Sequence, residues 1–259
     1  MNKYRSNKVL TTLCLTGLFL FPACHSVYKL TSVEGRRIEI NSIYDKSPDQ
    51  EAAEILTPYK AKVDSIMSPV IGFSEMDMSI GRPESLLSNL VADALWSYSN
   101  SLPEQKVDFA VINMGGLRSS LPKGEIAFGT IFKILPFENS LCLLSMKGKD
   151  VRFLFKDIAR VGGQGVSHIK LLLSKPVQAE VLEATIDGEP INDEKSYWVA
   201  TLDYLAEGND GLSSFLKAEK RVCPEGATIR QIFLDYVKAK TVRGEKVTSR
   251  LDGRIEIMK

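Results

Sequence analysis

The chain is poor in the residues from which a metal centre or a nucleophilic active site is built. Of its 259 residues only two, His25 and His168, are histidines. Metal catalysis needs several His, Asp, Glu or Cys ligands converging on one point. With His25 so near the N-terminus, one histidine is left for the folded body. Alternating with Val166 and Lys170, it reads as a half-exposed strand residue. Carboxylates are common enough to leave an all-carboxylate magnesium site formally open, yet no acidic pair stands in a Gly-rich loop suited to a phosphate. The four cysteines include no C-x-x-C and no zinc-type spacing. A G-x-S-x-G elbow, a P-loop and a G-x-G-x-x-G fingerprint are also missing. For this chain alone we therefore expect no catalytic residue, no metal ligand and no cofactor. An excess of charge of one sign is absent too, with 33 basic residues against 32 acidic. No basic stripe runs through the sequence, which excludes nucleic acid as the expected partner.

What is present is globular. Apolar residues make up 44% and charged residues 25%, ordinary values for a chain that can bury a sizeable core. Residues 1–23 read as a targeting segment, with Lys3, Arg5 and Lys8 followed by an apolar run from Val9 to Phe21 that is short for a bilayer span. The run closes on Ala23-Cys24, which resembles the lipobox of bacterial lipoproteins. Cys24 would then be the lipidated first residue of an exported cell-envelope protein, periplasmic or anchored at the outer membrane, that touches the membrane only through lipid. Ordinary signal cleavage with Cys24 as a bystander is the other reading. Cys142 and Cys223 can pair in an oxidising compartment, or Cys142 can remain a buried thiol in the apolar run Leu141–Met146.

Patterning predicts mixed structure. Tyr28–Ile40 reads as a leading strand within a linker of residues 24–48. Ser47-Pro48-Asp49 offers helix-start chemistry, and Ile55, Leu56, Tyr59, Val63 and Ile66 recur at helical spacing over 49–68. A second helix is expected over 84–99. A strand over 107–112 stops at Asn113-Met114-Gly115-Gly116, and another covers 141–146. A helix around 151–158 is closed by Gly162-Gly163. Strands follow over 166–174 and 179–186, then a hairpin turn at Asp187-Gly188, a strand over 197–202 and a last helix over 229–237. Strands and helices interleave without a regular βαβ period. The expected fold class is α+β, a single mixed-sheet domain over 49–256 with packed helices and a helical lead-in.

Three segments look purposeful. In Asn113-Met114-Gly115-Gly116-Leu117-Arg118 two glycines allow a tight turn and close approach to a ligand. They bring an amide and a guanidinium to one rim, suited to hydroxyls, base edges or oxyanions, although a plain turn with a surface arginine has the same pattern. In Pro136-Phe137-Glu138-Asn139 the ring is either core or a stacking platform for a planar base. In Asp203-Tyr204-Leu205-Ala206-Glu207-Gly208-Asn209-Asp210-Gly211-Leu212, Asp210 is expected to brace a Gly-rich loop by bonding backbone N–H groups, not to act as a base.

Together these segments resemble the C-terminal, substrate-binding domain of the 5'-nucleotidase family. N-M-G-G-L-R is similar to its N-x-G-G-[IL]-R, P-F-E-N to its P-F-G-N, and Y-W-V-A-T-L-D-Y-L-A-E-G-N-D-G-L to its Y-x-V-A-T-x-x-[FY]-L-A-x-G-G-D-G-[FY]. Arg82 to Ala94 and the terminal Gly253-Arg254-Ile255 follow the family's R-x-E-[ST]-x-x-G-N-L-x-x-D-A and G-R-I. The resemblance implies a domain that binds a nucleoside between two aromatic rings, while a separate metallophosphoesterase domain carries the two metals and the catalytic histidine. Position by position it places Phe137 as the first ring, Asn139 as the nearby amide, and Asn113 and Arg118 as contacts to the ribose and neighbouring groups. Arg82 falls near a further family arginine, and Asp210 sits in the second loop.

Two departures change the expected site. Leu212 stands where the family has the second ring, so Phe137 is expected to face Leu212 unless Tyr204 or Phe215 substitutes. Glu138 replaces glycine and is expected to bring a carboxylate beside the pocket, disfavouring a phosphate-rich ligand. The implied function is the nucleoside- or nucleotide-recognising half of a split 5'-nucleotidase, inactive alone, whose partner chain brings divalent metals and acts on extracytoplasmic nucleotides. A non-catalytic nucleoside-binding lipoprotein and a purely structural module are the alternatives. The lead-in helix, which in the family follows the catalytic domain, is a candidate docking surface.

Overall fold

The computed structural model describes residues 29–103 and 105–258. The targeting segment, Cys24 and His25 lie outside the described residues. The chain divides into two units, residues up to Ala53 and residues from Glu54 onward. In the first, the strand expected over 28–40 does not form across the described 29–40, which has no regular structure and is exposed throughout. Without a partner strand its backbone groups stay with water.

Helix α1 (Gln50–Met67) starts where the sequence places it, with the Asp49 carboxylate accepting from the Ala52 N–H at 3.1 Å. None of its residues is buried, and its apolar side (Ile55, Tyr59, Val63 and Ile66) is exposed. Strand β1 (Val70–Ser74) follows, then α2 (Leu86–Ser101), whose start is a reciprocal cap between Ser85 and Ser88. Next come β2 (Phe109–Ile112), β3 (Gly124–Ala127), α3 (Phe128–Ile134), β4 (Leu141–Lys147) and α4 (Gly148–Arg160). Strands β5 (Gly165–Ser167), β6 (Ile169–Leu173), β7 (Val181–Ile186), β8 (Glu189–Pro190) and β9 (Ser196–Leu202) precede the short helix α5 (Asp203–Ala206). Strand β10 (Lys220–Val222), helix α6 (Ile229–Val242) and strand β11 (Ile255–Ile257) complete the fold.

A five-stranded mixed sheet in the order β10-β4-β9-β2-β5 is the centre. Its inner strands are buried on both faces, and alternate side chains therefore serve two cores. Leu141, Leu143, Ala110, Ile112, Ala200 and Leu202 point to the side covered by α2, α3 and α6. Cys142, Leu144, Phe109, Val111 and Val199 point to the other, against α4 and the four-stranded sheet β11-β6-β7-β8. Fully burying each Leu or Ile here contributes about 1.5–3 kcal/mol. The fold is α+β with mixed sheets and packed helices, as the patterning predicts.

Two details depart from or complete the sequence reading. The strand expected over 166–174 is two strands in different sheets: β5 pairs with β2, while β6 pairs with β7 and β11. The break is His168, whose φ of 65° turns the chain from one sheet into the other. His168 is thus a corner residue and not a strand residue. Cys142 and Cys223, opposite each other one step beyond the Leu143–Val222 pair, form a disulfide with Cα atoms 4.1 Å apart. Of the two readings open to the sequence, pairing is the one found.

Candidate functional site

Strand β2 ends at Ile112, and Asn113 leads into a single 3-10 turn over Met114–Gly116. The turn is held from two sides: the Met114 N–H donates to Gln164 Oε1 at 2.8 Å, and the Arg118 N–H donates to the Ile134 carbonyl at 2.9 Å. Gly116 is required because a Cβ there would lie 2.9 Å from Asn113 Oδ1. That glycine makes room for the asparagine side chain.

Three loops meet over this turn and enclose a cleft of ≈ 370 Å³. Asn113, Gly115 and Arg118 form one wall, Phe137 and Asn139 a second, and Tyr204 and Asp210 the third. Phe137 is 49% exposed and Tyr204 40%, so neither ring is core. Asn113 is only 5% exposed. Its Nδ2 donates to Asp210 Oδ2 at 2.7 Å, which fixes the amide's orientation and leaves Oδ1 buried without a partner. A buried acceptor with no donor is costly unless a ligand supplies one. The Arg118 guanidinium is exposed and makes no hydrogen bond or ion pair among the described residues.

Asp210 joins the walls. Its other oxygen accepts from the Tyr204 hydroxyl at 3.1 Å, so one carboxylate holds both Asn113 and Tyr204. This corrects the expectation that it would bond backbone N–H groups. The hydrogen bond to Asp210 also holds the Tyr204 phenol above its ordinary pKa, because losing the proton would place an anion against the carboxylate. Asp210 adopts left-handed backbone (φ 52°), strain that Asp and Asn bear better than most residues and that gathers at functional sites.

Five of the seven residues expected in the site meet here: Asn113, Arg118, Phe137, Asn139 and Asp210. Two do not. Leu212 is 0% exposed and packs in the core with Phe215 and α4, so it does not face Phe137. Phe215 is buried as well, and the ring that lines the cleft is Tyr204. Arg82 donates instead to the Gly163 carbonyl beyond the end of α4. Burial lowers its pKa, and the Asp210 charge partly opposes that. Gly163 must be glycine there, since its φ is +103° and a Cβ would stand 2.4 Å from the Pro83 carbonyl oxygen. Glu138 also departs from expectation: it does not line the cleft, and its exposed carboxylate lies 3.4 Å from Arg230 on α6.

Among the described residues no group of three or more His, Cys, Asp or Glu side chains is placed to hold a metal ion. The donor set therefore does not fit a two-metal hydrolytic centre. No helix among those residues is long and apolar enough to cross a membrane.

Comparison with known proteins gives this geometry a family. A domain model described as "5'-nucleotidase, C-terminal domain" matches residues 70–218. The trifunctional nucleotide phosphoesterase protein YfkN of Bacillus subtilis is 26% identical over 225 residues, covering 80% of this chain and 15% of that protein. The cell wall protein Lmo0130 of Listeria monocytogenes is 25% identical over 232 residues, covering 80% of this chain and 29% of that protein. The crystal structure of a 5'-nucleotidase precursor from Thermus thermophilus superposes with a TM-score of 0.70 at 29% identity, over 82% of this chain and 44% of that one. The chain thus spans less than half the length of each. With the motifs, the cleft and the matched domain in agreement, this chain belongs to the 5'-nucleotidase C-terminal domain family.

Proposed function

We propose that this chain recognises the nucleoside part of a nucleotide and works with a separate metallophosphoesterase chain, which supplies the divalent metals and the hydrolytic step. The observation that carries this reading is the cleft between Phe137 and Tyr204. A planar base would stack against the two part-exposed rings that line this cleft. The ribose hydroxyls would bond with the Asn113–Asp210 side-chain pair that lines the cleft, and the unpaired Arg118 would meet the negative charge that follows the ribose. Asn139, which also lines the cleft, would read the base edge. Tyr204 takes the role that the family motif assigns to the residue at Leu212. Among the described residues lining the cleft Asp210 is the one carboxylate, which leaves Arg118 free to donate to a phosphate.

The exposed apolar side of α1 supports the second half of the proposal. Ile55, Tyr59, Val63 and Ile66 form a stripe suited to burial against a partner chain. We propose that the pair works in the cell envelope, held by lipid on Cys24, in keeping with a cell wall protein among its relatives.

The test is a calorimetric titration with adenosine and AMP, followed by a phosphatase assay with divalent metal. Saturable binding without hydrolysis is expected from the purified chain. Hydrolysis should appear when a metallophosphoesterase chain from the same envelope is added. Turnover of AMP by this chain alone at enzymatic rates would defeat the division of labour, and no binding would defeat the recognition role.

A further inference from the structure

A second, larger cleft of ≈ 510 Å³ lies around His168, where β5 turns into β6. It shares no lining residue with the nucleoside cleft. Its floor is a saturated hydrogen-bond network. Arg254, nearly buried, makes a two-pronged contact with Asp93 (Nη1–Oδ1 2.6 Å, Nη2–Oδ2 2.8 Å) and also donates to Asp252 and to the Val166 carbonyl. The Ser167 hydroxyl lies 2.6 Å from Asp93 Oδ1 and 2.8 Å from His168 Nδ1.

Proton accounting then fixes the imidazole. The Asp93 carboxylate can only accept, so the single Ser167 proton goes to it. Ser167 Oγ must therefore accept from His168, which puts the ring proton on Nδ1. Nε2 is left as an unprotonated acceptor with no partner among the described residues. The ring is locked face to face with Trp96, centroids 3.6 Å apart and planes 15° apart. Its backbone sits in the left-handed region, where a non-glycine residue is strained. Burial lowers the His168 pKa, which keeps the ring neutral near pH 7.

The remaining lining alternates in character. Asp187 offers acceptors and Lys170 donors, and neither makes an ion pair or side-chain hydrogen bond among the described residues. The Tyr236 hydroxyl can do both, and Arg250 keeps free N–H groups beyond its contact with Asp252. The charges balance locally: Arg254 and Arg250 face Asp93 and Asp252, and Lys170 and Asp187 add one charge of each sign to the lining. An anion or a cation gains little from such a surface. A ligand bearing several hydroxyls, each able to donate and accept, matches it, and its C–H faces can lie against Tyr236 and the edge of Trp96.

We propose that the His168 cleft is a second binding site, for a neutral saccharide. Nε2 and the Asp187 carboxylate would accept from adjacent hydroxyls, and Lys170 would donate to a ring or hydroxyl oxygen. The proposal is independent of nucleoside recognition and requires no chemical step.

The experiment uses the full chain carrying Trp198→Phe, so that Trp96 is its single tryptophan. Maltotriose, cellotriose and chitotriose are titrated against Trp96 fluorescence, with a sulfated heparin tetrasaccharide as the charged counterpart. At least one neutral trisaccharide should give a saturable change that excess adenosine does not reverse. His168→Gly should weaken that binding about tenfold or more through the lost acceptor, with the chain still folded by circular dichroism because glycine accepts the left-handed backbone. Asp187→Asn should weaken it severalfold, and it keeps the proposal testable should the glycine variant fail to fold. The proposal is overturned if no neutral trisaccharide saturates, if only the sulfated one binds, if adenosine competes, or if both variants bind as the parent does.

Discussion

The floor of the His168 cleft and the walls of the first cleft handle their polar groups in opposite ways. Around His168, the buried arginine and the carboxylates satisfy one another: Arg254 meets Asp93 and Asp252, and Ser167 passes a fixed proton arrangement on to the imidazole. Burial alone would lower the Arg254 pKa, but the hydrogen bonds it donates to Asp93 and Asp252 outweigh that and hold the guanidinium charged. Around Phe137 the polar groups are left open: Arg118 is unpaired, Asn113 Oδ1 has no donor, and two rings stand half in solvent. A saturated network contributes to stability and leaves little to offer a charged ligand. An unsaturated one costs stability and waits for a ligand to complete it.

Substitutions in the two regions should therefore separate stability from binding. The largest effect is expected from Asp93→Ala, which leaves Arg254 nearly buried without its main partner. Chemical denaturation should show a loss of about 3–5 kcal/mol. Adenosine affinity, measured under folding conditions, should be unchanged. A large loss of nucleoside binding with little loss of stability would break the comparison.

Phe137→Ala reverses the pattern. Removing one stacking surface should cost about 1–3 kcal/mol of nucleoside affinity by calorimetry, with little change in the unfolding midpoint. Tyr204→Ala should behave alike, whereas Leu212→Ala should destabilise the fold by about 2–5 kcal/mol as a core truncation. This last contrast tests directly which residue is the second ring.

Asp210→Asn should lie between the two regions. Asparagine tolerates the left-handed backbone, but the two charge-assisted hydrogen bonds to Asn113 and Tyr204 weaken. A loss of about 1 kcal/mol in binding is expected, and the tyrosine's titration by ultraviolet absorbance should move down toward its ordinary range.

The smallest effect is a pH dependence. His168 has a lowered pKa in the folded chain, so its contribution to stability is fully present above the unfolded value of about 6.5 and is lost as pH falls through that range. Burial is the main cause, while Asp187 and Asp93 oppose it and Arg254 reinforces it. Denaturation midpoints followed from pH 7.5 to 5.5 should show a shallow acid slope that disappears in His168→Gly.

Much of the frame was legible before the coordinates. The helix start at Asp49 announces itself through a short polar cap, and the Asp187-Gly188 turn carries positive φ at both residues, as a tight hairpin demands. The loop-borne residues of the first cleft were equally visible, because their motif places them. Hidden from the sequence were features that depend on where a chain turns in space. A single left-handed residue at His168 splits one apparent strand between two sheets, and nothing in the alternation of Val166, His168 and Lys170 signals it. The network of Asp93, Ser167, His168 and Arg254 joins residues separated by up to 161 positions, a pairing no local pattern can state.

The sequence by itself determined the family, most of the central helices and strands, and which three loops carry the first cleft, since hydrophobic period, capping residues and turn residues act over a few positions. Tertiary structure alone decided that Tyr204 and not Leu212 closes that cleft, that Glu138 turns to Arg230, that Cys142 and Cys223 pair, and that a second cleft forms where two sheets meet. The physical reason is the same in each case: the direction of a side chain off a loop follows from backbone angles set by distant packing, with Asp210 at φ 52° the plainest example.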